Sequence, residues 1–133
     1  GVIRMHDCCP FDHEMTTRDL DNIPKAAWTG DVWKLLPILQ QYRPDLKIDV
    51  LDCKPTGLVM LSNLDPDNAA LSDAYGQILA DWTDVTLKDH GADRFYDSFD
   101  YVSARRQARA GHPLLSAVRL DDSAGFTPVM MSS

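Results

Sequence analysis

The chain has 133 residues and a mass of 14.9 kDa, enough for one domain with a modest core. Its formal charge of -7 and pI near 4.8 argue against nucleic-acid binding, which draws on clustered Lys and Arg. At 44% hydrophobic and 25% charged residues, with no run of about 18 apolar residues and no basic-then-apolar leader, it reads as a folded domain rather than a disordered, membrane-spanning or secreted one. Three cysteines, two of them adjacent (Cys8 and Cys9), make no secreted disulfide framework, so a reducing cytoplasm is expected.

The first apolar run, Val2 to Met5, is short and bounded by Asp7 and Pro10, which predicts a buried strand entered without a preceding helix. Cys9 to Trp28 is polar and broken by Pro10 and Pro24, a long loop of the kind that is usually functional or mobile. Thr29-Gly-Asp31 then predicts a helix start, with Thr29 as cap and Val32, Leu35, Leu36 and Leu39 on one face. Pro37 falls inside that pattern and is expected to kink or split the helix, which ends at Arg43-Pro44.

Leu46 to Leu51 alternates, Lys54-Pro-Thr-Gly57 supplies turn residues, and Leu58 to Leu61 is a second apolar run, together predicting a β-hairpin. Asn63 to Asn68 is a turn into a second helix striped by Leu71, Tyr75, Ile78, Leu79 and Trp82. A third helix is expected from about Asp93 to Ala110, with Phe95, Phe99 and Val102 inward, Arg105, Arg106 and Arg109 outward, and Gly111-His-Pro113 as its stop. Leu114 to Leu120 is a last strand or a packed tail, and Asp121 to Ser133 is expected to be loose. The expected organisation is one domain over 1–111 and a partly ordered tail over 112–133.

Three segments in order carry a family likeness: Gly1-Val-Ile-Arg-Met-His-Asp-Cys8, Trp28-Thr-Gly-Asp-Val-Trp-Lys34, and the hairpin from Asp45 to Val59 closed by Asn63-Leu-Asp-Pro66. Over roughly 1–82 the chain resembles the carboxyl-terminal part of bacterial class I S-adenosylmethionine-dependent methyltransferases, of the kind often found near polysaccharide and glycosyl-transfer genes. The resemblance implies that the His-Asp strand is the fifth of a seven-stranded sheet. The hairpin is then strands six and seven, with seven antiparallel between five and six. The expected fold class is therefore α/β: a small three-stranded mixed sheet, one strand plus a hairpin, packed by helices like the carboxyl-terminal half of a Rossmann-like enzyme.

The departure from the family is in the cofactor site. The family holds S-adenosylmethionine on a glycine-rich loop after its first strand and an acid after its second, the first for close backbone approach and the second for the ribose hydroxyls. Here there is no Gly-x-Gly, and Gly1, Gly30, Gly57, Gly76, Gly91, Gly111 and Gly125 stand apart. No cofactor-binding residue is assigned, and none is expected to bind the cofactor unless a missing region completes the site.

His6 and Asp7, at a strand's carboxyl end, are the candidate catalytic pair, as a general base or as ligands of a divalent metal. The plainer reading is that Asp7 caps the next loop and His6 packs beneath it. By resemblance Trp28, Asp31 and Trp33 lie near the methyl acceptor; alternatively Trp28 staples the helix start and Trp33 covers the helix. His6, Cys8, Cys9 and His13 are types zinc accepts, but their spacing matches no knuckle or ribbon, and buried thiols are the simpler account. Arg105, Arg106 and Arg109 make either an anion contact or a solvated helix face.

An unpaired strand edge invites another chain, so a homodimer through Val2 to Met5 is expected, with no nucleic-acid or membrane partner. Two functions follow: a non-catalytic, methyltransferase-derived interaction or assembly module, or part of a working methyltransferase completed by an N-terminal region or a partner chain. A small metal-dependent hydrolase using His6, Asp7 and His13 is a third, resting on residue identity alone.

Overall fold

Alternating apolar residues at Ile48 and Val50, and at Val59 and Leu61, form a hairpin of strands β2 (Lys47–Leu51) and β3 (Leu58–Ser62), as the sequence predicts. The molecule is described by a computed structural model over residues 1–116. Strand β1 (Ile3–His6) pairs antiparallel with the other side of β3, with Ile3 opposite Leu61 and Met5 opposite Val59. A short β4 (Tyr101–Val102) runs parallel to β2, so the order is β1-β3-β2-β4. The fold is α/β with a four-stranded mixed sheet.

Register sorts the side chains. Residues paired across strands share a face, so Met5, Val59, Leu61, Ile48 and Val50 point one way and Arg4, Met60 and Asp49 the other. Against the first face pack Trp33, Leu36, Leu39, Leu87 and Phe95. On the second, Met60 is also buried, so β3 is apolar on both sides, as a central strand must be.

Helix α1 (Leu35–Tyr42) follows a 3-10 turn at Val32–Lys34; Asp31 stands at the cap position of that turn and Lys34 at that of α1, so Thr29 caps neither. Thr29 instead donates its hydroxyl to the Met15 carbonyl at 3.2 Å. Pro37 neither kinks nor splits α1, because it is the third residue of the helix, where backbone N–H groups have no intrahelical acceptor to lose.

Three expectations are corrected. β1 is not buried: among the described residues it pairs on one side only, with Ile3 47% exposed and Arg4 and His6 also open to solvent. The sheet has four strands, not three, because the single helix expected over 93–110 is three elements: α5 (Ala92–Asp97), β4 and α6 (Ala104–Arg109). Long-range pairing breaks that helix. The Asp52 N–H donates to the Val102 carbonyl at 3.0 Å, and the Asp52 carboxylate accepts the Ala104 N–H at 2.7 Å. Ser103 then caps α6 through the Arg106 N–H.

Third, the stripe expected on one helix spans α2 (Ala70–Asp73) and α3 (Tyr75–Trp82) and is only partly covered. Leu71 and Trp82 pack on the core, while Tyr75 and Leu79 are exposed. Beyond them lie α4 (Leu87–His90), opened by a reciprocal Thr86–Asp89 capping box, and α7 (Pro113–Ser116). The expected strand or tail from Leu114 therefore begins helical, and its remainder, with Asp121 to Ser133, lies outside the described residues. Among the described residues no helix is long and apolar enough to cross a membrane.

Candidate functional site

The end of β1 holds the most organised polar group. Successive side chains on a strand point to opposite faces, so adjacent His and Asp cannot ordinarily meet. Here Asp7 takes a left-handed backbone with φ +63°, which swings its carboxylate back beside His6. His6 Nδ1 lies 2.9 Å from Asp7 Oδ2, and the hydroxyl of Thr56 donates to Asp7 Oδ1 at 2.7 Å. Thr56 is buried, held in the hairpin turn where its carbonyl accepts the Cys9 N–H at 3.1 Å. The His6 side chain is 81% exposed, so its second nitrogen, Nε2, faces solvent.

The hairpin turn is fitted to this. Gly57 has φ +75°, and a β-carbon there would sit 3.0 Å from Cys9 Sγ and 3.4 Å from the Leu51 carbonyl oxygen. Only glycine takes this conformation and approach without strain.

A groove of about 610 Å³ runs along the loop after β1, lined among others by His13, Thr16, Arg18, Asp31, Lys34 and Thr83. Asp31 is its hub, 3.3 Å from both Arg18 Nε and Lys34 Nζ. Lys34 Nζ also donates to the carbonyls of Trp82 at 2.8 Å and Thr83 at 3.1 Å, and Arg18 reaches the Thr83 carbonyl at 3.2 Å. These carbonyls end α3, where a cation is favoured by the helix dipole. The string Trp28-Thr-Gly-Asp-Val-Trp-Lys34 thus ties the long loop to the end of a helix.

The expected site residues fall into three places. His6 and Asp7 form the dyad. Asp31 lines the groove. Trp28 is half-exposed and donates Nε1 to the Thr17 carbonyl at 2.8 Å, fastening the loop rather than stapling the helix start. Trp33 has no exposed surface: it sits edge-on to Phe95 and Trp82 and beside the His90 ring, and so serves as core. Thr56, Arg18 and Lys34 are additions. Thr56 reads locally as a turn residue, and nothing in the local sequence around Arg18 marks it.

Cys8 and Cys9 are held as thiols. Burial pushes Cys8 up to about 12, with Cys9 and Asp7 adding to it. Burial also raises Cys9, against a lowering hydrogen bond from Tyr101. Neither is a ready thiolate for attack or metal binding. Among the described residues no three His, Cys, Asp or Glu side chains converge as a metal site. Arg105, Arg106 and Arg109 lie on an exposed face of α6. No family model, no curated protein and no solved structure matches the chain.

Proposed function

We propose that the chain is a methyltransferase-derived interaction module of the cytoplasm, homodimeric through β1 and without S-adenosylmethionine binding of its own. The observation that carries this is the one-sided pairing of β1: its backbone bonds β3 on one flank and no described strand on the other. An edge strand bearing Ile3 at 47% exposure is a template for a further strand. Antiparallel addition of a second β1 gives a two-fold, isologous interface and a continuous sheet. The derivation from a class I methyltransferase is supported by β3 lying antiparallel between the parallel β1 and β2, the arrangement implied for strands five, seven and six.

A second reading is favoured by one observation, the Thr56-held His6–Asp7 dyad at the carboxyl end of β1, which assembly alone does not require. In it the chain is one part of a working methyltransferase, with the dyad and Asp31 on the acceptor side and the cofactor loops supplied by an N-terminal region or a partner chain. Calorimetry separates the two. The first reading expects no binding of S-adenosylmethionine or S-adenosylhomocysteine by the isolated chain; binding tighter than about 100 μM, near -5.5 kcal/mol, overturns it.

A further inference from the structure

We infer that Thr56 is a positioning residue that fixes His6 as a base, with the imidazole proton on Nδ1 and the Nε2 lone pair turned outward toward a hydroxyl-bearing ligand. The inference rests on reading the end of β1 as an acceptor side, and it adds a tautomer and a proton-accepting role that neither reading above assigns.

The geometry is a three-member chain. Thr56 Oγ1 donates to Asp7 Oδ1 at 2.7 Å, which occupies one carboxylate oxygen and sets the plane of the carboxylate. The other oxygen, Oδ2, lies 2.9 Å from His6 Nδ1, within reach of a proton on that nitrogen. Which imidazole nitrogen carries the proton is decided by the hydrogen bond the other makes. A carboxylate at Nδ1 places the proton there, so the neutral ring presents Nε2 as an acceptor. An orienting carboxylate behind a histidine base is the recurring logic of such sites.

Two features argue that the arrangement is built. A non-glycine residue with positive φ carries a backbone cost and persists only where surroundings over-determine it. Asp7 pays that cost at φ +63°, and the strand alternation it breaks is what would otherwise keep His6 and Asp7 apart. The buried Thr56 hydroxyl also comes from a different segment, 49 positions away, so the contact is tertiary and not a local turn bond. The chemistry proposed is proton acceptance alone: a ligand O–H gives its proton to Nε2, leaving an imidazolium paired with Asp7.

The test is long-range ¹H–¹⁵N correlation spectroscopy of the histidine rings in the full chain at pH 8, with His6 assigned by its loss in His6→Gln. The expected result is His6 mainly in the Nδ1–H form, shifted toward Nε2–H in Thr56→Val and restored in Thr56→Ser. Should Thr56→Val fail to fold, Asp7→Ala, which removes a part-exposed side chain, is expected to give the same shift. Wild-type His6 in the Nε2–H form, or a tautomer unmoved by these variants, overturns the inference. The measurement needs neither cofactor nor dimer, so its failure is separate from failure of the functional readings.

Discussion

Lys34 reaches from the 3-10 turn before α1 to the carbonyl of Trp82 at 2.8 Å, joining the Trp-Thr-Gly-Asp-Val-Trp-Lys string to the end of α3. The side chain is nearly buried and its ammonium also meets Thr83 and Asp31. A buried ammonium with three oxygen partners is a structural tie. Lys34→Met keeps the stem and strands the carbonyls without their donor. We expect a loss of about 2 kcal/mol, the scale of a hydrogen bond to a charged group, measured by urea unfolding.

Two glycines should respond oppositely to alanine. Gly57→Ala forces a β-carbon to within 3.0 Å of Cys9 Sγ at φ +75° and is expected to cost about 2 kcal/mol. Gly76, inside α3, has nothing within 4 Å of the added carbon. Gly76→Ala is expected to stabilise by about 0.5 kcal/mol through helix propensity. Parallel thermal melts of the two variants check the signs.

How much of this was legible in the chain differs by element. The hairpin was, because alternation at Ile48 and Val50 and turn residues at Pro55 and Gly57 are local signals. The strand character of Val2 to Met5 was legible too, and so was its open edge, but its exposure to solvent was not, since burial depends on which other elements pack beside it. Tyr101 and Val102 sit in an amphipathic helical pattern, and only their pairing with Val50 and Leu51, far upstream, makes them a strand. His6 and Asp7 could be singled out, whereas Thr56 could not: a Pro-Thr-Gly turn already explains its presence. For Trp33 the sequence left a helix cover and an acceptor face open; the side chain lies fully buried, edge-on to Phe95.

His90 makes the fold acid-sensitive. Burial against Trp33 and Trp82, and then the nearby Arg94 charge, lower its pKa below the ordinary 6.5. The unfolded chain therefore binds this proton more readily than the native one, so stability is full above 6.5 and falls as pH drops below it. The lowered carboxylates Asp19, Asp45 and Asp89 act later, because their ordinary value is 3.8. Urea midpoints between pH 7 and pH 5 should fall in the wild type and fall less in His90→Gln.

Thiol chemistry should sort by burial. Cys53 is part-exposed, while Cys8 and Cys9 are buried and held as thiols. Under native conditions a maleimide is expected to label Cys53 alone, with Cys8 and Cys9 reacting only after unfolding, as read by peptide mass spectrometry. Native labelling of Cys8 at a rate equal to Cys53 would contradict the burial of the Cys8 thiol beneath the loop that follows β1.

The account turns on the open flank of β1, and sedimentation velocity of the full chain at micromolar concentration tests it most directly. It expects a species of twice the 14.9 kDa chain mass, reverting to single chains when Met5→Pro disrupts the strand. A wild-type chain that sediments as a monomer throughout that range would contradict it.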